Sequence, residues 1–196
     1  LSANATATGN NLLTFGALGS INLGSSPRTF NVAPVTANGV NLAPLLPTLS
    51  ITANMTGAGA SIIKTGAGIL QLGLANPLGG LNTFTGGVDL QAGGILFGIS
   101  SAFNNGTLGG VSAGPLGTGG LTMSAGTTLL SGSNVIVGNN VSVAGDVNFD
   151  STVAAGSNLT LSGTVTLPSA LTIDVVNPGM TAALGTVTRQ GSPGAI

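Results

Sequence analysis

Charge is the scarcest property of this 196-residue chain: three basic residues, four acidic ones and no histidine, for a formal net charge of −1. The charges are Arg28, Lys64, Arg189, Asp89, Asp146, Asp150 and Asp174, scattered along the sequence. An ordinary soluble domain carries roughly a quarter charged residues, so 4% is a strong departure. No basic stripe faces a phosphate backbone, and neither Trp nor Tyr offers a stacking platform. Both are what nucleic-acid binders use, which excludes that class. Cysteine is absent, so disulfides and thiolate metal sites are excluded as well. The shortage of charge does not signal disorder, which pairs low hydrophobicity with high net charge; 42% of these residues are hydrophobic. A transmembrane helix needs about 20 apolar residues in a row. The most apolar stretch, Gly39 to Leu49, is short and broken by Asn41, Pro44 and Pro47. A membrane β-barrel carries aromatic girdles, for which six Phe are a poor supply.

What the chain has in quantity is glycine, 34 residues of it, with Thr, Ser, Asn and Val throughout. These residues work against helix propagation. Short alternating runs bounded by Gly, Asn or Ser read instead as strands: Leu121 to Ser124, Asn134 to Val137, Val141 to Val143, Asp146 to Phe149, Leu159 to Leu161 and Val165 to Leu167. Such strands are about three to five residues long, where sandwich strands usually run to about five or six. A solenoid uses short strands, each paired with the circuits above and below at about 4.8 Å. The expected fold is therefore all-β, a parallel β-helix or solenoid, with an antiparallel β-sandwich or jelly roll as runner-up. Period-2 spacing predicts a shared core for Val135, Val137, Val141, Val143, Val147, Phe149, Leu159, Leu161, Val165 and Leu167. Residues 1–47 hold two loose strand candidates, Asn11 to Phe15 and Ser20 to Leu23, followed by Pro27, Pro34, Pro44 and Pro47. They are expected to form an N-terminal arm or cap. Residues 48–196 form the repetitive body, with an irregular tail from about 177. The chain begins at Leu1 rather than Met, so a removed signal peptide or a longer parent chain is expected.

From Lys64 the sequence reads Lys64-Thr65-Gly66-Ala67-Gly68-Ile69-Leu70-Gln71-Leu72, and then Asn82-Thr83-Phe84-Thr85-Gly86-Gly87-Val88-Asp89-Leu90-Gln91-Ala92-Gly93. This stretch resembles the autotransporter-associated β-strand repeat, a KTGAGTLTL-like strand with an NTYTGG-like turn and a strand ending in an alanine-glycine turn. Gly114-Pro115-Leu116-Gly117-Thr118-Gly119-Gly120-Leu121-Thr122 looks like the region that commonly follows. The resemblance covers about Ile62 to Leu130. Gly73 to Leu81 is longer than the usual connection, so a loop is expected to protrude there. The resemblance implies a right-handed parallel β-helix in an exported bacterial surface protein, and it carries no catalytic residue onto this chain. No translocator barrel follows these motifs, which leaves the secretion route open.

Motifs that suggest chemistry dissolve on inspection. Ser61-Ile62-Ile63-Lys64 and Lys64-Thr65-Gly66 match the S-x-x-K and K-T-G patterns of penicillin-binding enzymes, but those need two separate lysines and this chain has one. Lys64 reads as an outward, solvated strand residue. Asp146 and Asp150, four positions apart on one strand face, would lie about 13 Å apart, too far for a glycosidase pair. They read as solvated corner aspartates. Calcium wants six or more oxygens, and no calcium-binding repeat occurs. Gly117-Thr118-Gly119-Gly120 lacks the Gly-Lys-Ser/Thr of a phosphate loop, and reads as a corner requiring positive φ. Five N-x-S/T sequons, at Asn4, Asn54, Asn105, Asn140 and Asn158, are no more than the Asn, Ser and Thr content gives by chance.

Catalytic, cofactor-binding and metal residues are therefore expected to be none, with no enzyme activity and no cofactor. The expected protein is a secreted, cell-surface structural subunit of a filament or sheath. Its expected partners are copies of itself in a head-to-tail homopolymer joined by β-strand pairing, with no nucleic acid, small-molecule substrate or membrane span. The alternative is an adhesin or autotransporter passenger stalk that presents a binding domain.

Overall fold

The computed structural model describes residues 2–3, 13–15, 19–41, 43–73, 81–104 and 110–190. Among them there is no α-helix, and the chain is all-β with mostly parallel sheets. The first sheet has eight strands in chain order: Ser2–Ala3, Arg28–Val32, Ile62–Thr65, Val88–Leu90, Leu121–Met123, Val141–Val143, Val165–Leu167 and Val187–Arg189. A second has seven: Leu13–Phe15, Pro47–Ile51, Ile69–Leu72, Gly94–Phe97, Thr128–Ser131, Val147–Ser151 and Ile173–Val175. The third contains Val135–Val137, Asn158–Leu161 and Thr181–Leu184, and Ser20–Asn22 pairs with Asn54–Thr56 in a further parallel pair. Strands of the first two sheets alternate along the sequence, so every pairing joins segments separated by an intervening strand of another sheet. This is parallel pairing on a large scale, not the antiparallel pairing that a sandwich of hairpins requires.

Antiparallel pairing is confined to two small excursions and one bridge. Thr36–Ala37 pairs with Val40–Asn41 across Asn38 and Gly39, both of positive φ. Ala102–Phe103 pairs with Val111–Ala113, and Asn82 bridges Gly114. The loop expected over Gly73 to Leu81 lies largely outside the described residues, as does much of the stretch Leu1 to Leu23. Pro27 and Pro34 flank the strand Arg28–Val32, which pairs in register with Ile62–Thr65.

In-register pairing sets like residues over like, about 4.8 Å apart. In the first sheet one inward column runs Ile62, Val88, Leu121, Val141 and Val165. In the second, Leu49, Leu70, Ile95, Leu129 and Phe149 stack in the same way. All ten belong to one continuous buried cluster. The ten core positions expected from period-2 spacing fall there too: all but Leu167 are buried, and Leu167 packs against the same cluster. Branched and long aliphatic side chains suit this pleated surface, and a close-packed column leaves little room for change.

The corner at Gly117 to Gly120 is a turn, but the expected positive φ holds only at Gly117 of its three glycines. Gly117 has φ +66°, and a Cβ there would strike the Phe84 carbonyl. Gly119 has an ordinary φ, but a Cβ would collide with the backbone of Gly87 on the neighbouring turn. One glycine supplies conformation and the other supplies closeness of approach.

Candidate functional site

Lys64 overturns its sequence reading. It is 0% exposed, because it occupies an inward column: Phe30, Lys64, Leu90, Met123 and Val143 succeed one another in register. Ile63 and Thr65, its neighbours, take the outward phase and are half-buried. An ammonium in such a place must find acceptors or lose its proton. Lys64 Nζ donates to the carbonyls of Thr65 at 3.0 Å, Gly66 at 2.7 Å and Ala92 at 2.9 Å. All three of its donors are thereby satisfied, and the bond to Ala92 ties this corner to the end of the strand Val88–Leu90 that pairs beside it. Burial pushes its pKa down from 10.5 to about 8. No carboxylate pairs with it among the described residues, so it is a cationic staple across main-chain carbonyls, not half of an ion pair.

Asn82, in the NTYTGG-like turn, and Asn139, between Gly138 and Asn140, are also buried and do comparable work. Asn82 accepts from the Met55 amide through Oδ1 at 2.8 Å and donates through Nδ2 to the Pro115 carbonyl at 2.9 Å. It therefore joins segments on either side of its own. Asn139 donates to the carbonyls of Gly117 and Gly119 at 3.1 and 2.6 Å. Their position beside glycine-rich turns was readable from the sequence, but the inward direction of their side chains was not.

A third polar cluster replaces an apolar column. Ile51, Leu72 and Phe97 are succeeded in register by Ser131 and Ser151. Ser157 Oγ lies 2.6 Å from Ser131 Oγ and 2.9 Å from Ser151 Oγ, and it donates to the Ser131 carbonyl at 3.2 Å. All three serines are buried. Ser151 Oγ also donates to the Val153 carbonyl at 3.2 Å and accepts from the Val153 amide at 3.1 Å; no basic side chain bonds to the cluster among the described residues, and it reads as a hydrogen-bond network shared by hydroxyls and main chain.

The aspartates divide. Asp146 is exposed, as expected for a corner, and accepts from the Thr172 amide at 2.6 Å. Asp150 is only 7% exposed, which corrects its reading as a solvated residue: it lies beside Leu130 on the outward side of the second sheet. Its Oδ1 accepts from the Ser151 amide at 2.7 Å. Among the described residues no group of three or more acidic, His or Cys side chains could hold a metal ion. No helix there is long and apolar enough to cross a membrane.

The outward face of the first sheet carries a polar row, Asp89, Thr122, Ser142, Thr166 and Thr188, one residue per strand. Thr166 and Thr188 hydroxyls lie 3.0 Å apart, and a shallow depression of about 370 Å³ follows the row. The second sheet carries another outer depression, of about 330 Å³, lined by Ile69, Leu130 and Val176 but also by Thr128, Asn148 and Asp150. Comparison of the chain with protein-family models, with curated proteins and with solved structures gave no match. The likeness to the autotransporter-associated repeat thus rests on the residues that carry it.

Proposed function

We propose that the strands coil as a right-handed parallel β-helix, and that the protein is a non-catalytic structural subunit of an extracellular filament or sheath. Copies join by β-strand pairing, head to tail. One observation carries the reading: an eight-stranded parallel ladder with an apolar inward column ends, among the described residues, on a strand paired along one side only. That strand, Val187–Arg189, leaves Val187 49% exposed. An open edge of this kind is a template for another strand, and contacts that do not close on themselves generate filaments. The scarcity of charge is consistent with it, since few charged side chains guard the edges. The buried columns also favour a protein whose whole interior is given to cohesion.

Electron microscopy and sedimentation of the purified chain test this. Fibres are expected, with little change in moderate salt because there is little charge to screen. Deletion of residues 1–23 is expected to abolish assembly while circular dichroism stays β-rich. A chain that stays monomeric at every concentration would instead favour the second reading, a passenger stalk that presents another domain. The sequence resemblance and the two antiparallel excursions from the ladder support that alternative.

A further inference from the structure

The inward column that holds Lys64 runs on to the end of the first sheet. After Phe30, Lys64, Leu90, Met123 and Val143 come Leu167 and then Arg189, on the last strand. The phase of that strand is fixed on its other face, where the Thr188 hydroxyl lies 3.0 Å from that of Thr166. Arg189 therefore takes a core position in register, yet it is exposed, because no strand among the described residues covers it. Of the three cations in the chain, Lys64 and Arg28 spend donors on carbonyls of their own chain. Arg189 stands where the next strand of the ladder would close over it.

Lys64 shows how this column accommodates a cation. Its ammonium reaches the carbonyl of Ala92, two residues beyond Leu90 on the following strand. The ladder keeps the same form to Gln190, whose N–H donates to the Leu167 carbonyl at 2.7 Å as that of Gln91 does to Lys64 at 2.9 Å. At the sheet's other end, Ser2–Ala3 is paired along one side only. Ser2 shares a row with Asn31 and Thr65, which Gln91 continues, so Ala3 answers in register to Ala92. We propose, resting on the head-to-tail reading above, that Arg189 is an intermolecular staple. When Ser2–Ala3 of a second copy pairs along Val187–Arg189, the guanidinium donates to that copy's Ala3 carbonyl, as Lys64 does to Ala92. The site is half-built in one chain and completed by the next. A slip of one residue would turn the inward column outward and lose the bond, so the staple also fixes the register of the joint.

Sedimentation of the full chain, with a cysteine pair to report register, tests the staple. Arg189→Leu, which repeats Leu167 in the same column, should raise the concentration needed for assembly about tenfold or more. Arg189→Lys should stay close to the unaltered chain, since Lys64 shows that an ammonium serves in this column. The chain has no cysteine, so Ser2→Cys with Gln190→Cys gives a clean reporter. The two become neighbours across the joint at about 4.8 Å, within the reach of a disulfide. Mild oxidation should link them into a ladder of multimers, and Ser2→Cys with Asp174→Cys, on the second sheet, should give none. If Arg189→Leu fails to fold by circular dichroism, the ladder decides alone. Fibres without the ladder, or equal assembly of Arg189→Leu, would overturn the staple and leave the filament reading standing. Easier assembly of Arg189→Leu would also overturn it, making Arg189 a guard on the edge. An unaltered chain that stays monomeric at every concentration would bring down the head-to-tail reading and the staple with it.

Discussion

Two corners of the molecule bury polar groups by opposite means. After Ile62–Thr65, a single donor-only side chain reaches three main-chain carbonyls that turn away from the ladder. After Thr128–Ser131, three hydroxyls, each able to donate and accept, bond to one another and to the main chain of Ser131 and Val153. The first corner depends on one residue and carries a charge into the interior. The second spreads the task over three neutral residues that come from two paired strands and the turn after the second. The contrast shows that a tight parallel turn can be closed either from the side-chain end or from within a small network, at different sensitivity to change.

Lys64→Ala is the substitution expected to separate them most. It empties a core-sized volume and leaves three carbonyls without their donor, for a loss of about 4 kcal/mol in urea-unfolding stability. A loss under about 1 kcal/mol would show that water enters the corner freely. The next effect is in pH. Between about 8 and 10.5 the unfolded chain holds the Lys64 proton and the folded chain has released it. Stability should therefore rise across that window, by up to about 3 kcal/mol, and stay flat below it. The rise should vanish in Lys64→Met; a slope that persists there belongs to another group. Smallest is Ser157→Ala, which removes the central hydroxyl but leaves Ser151 bonded to the main chain of Val153, for about 1–2 kcal/mol by thermal melting. A pH dependence in that variant's loss would break the contrast between a charged and a neutral corner.

The alternation that made Val135, Val137, Val141 and Val143 readable as core residues also contained the answer for Lys64, which shares its phase with the buried Ile62. Its charge argued the other way, and for a lone lysine exposure is the usual outcome. What decides the matter is the carbonyl cage, and that forms only when Ala92 arrives from a later part of the chain. Asp150 was misread for a similar reason: its place beside Leu130 depends on the register of two strands. Asn82 and Asn139 had the right neighbours in sequence, glycines and turns, but nothing local fixes an inward side chain. Strand length and glycine spacing were legible because they depend on neighbours two or three positions away, and the shortness of the strands pointed in turn to parallel pairing. The buried polar groups were not, because their partners come from other turns of the chain.

The ladder also sets a timetable for folding. Val141 pairs with Val165, 24 positions on, and Leu121 with Val141, 20 positions on. No strand in these two pairings waits for a distant end of the chain, so each new strand can be laid on its partner as soon as its residues are free. Growth of that kind needs one nucleus and then proceeds by nearest-neighbour addition. A chain released gradually from one end could order itself at the pace of its release, with each paired strand holding the one before it.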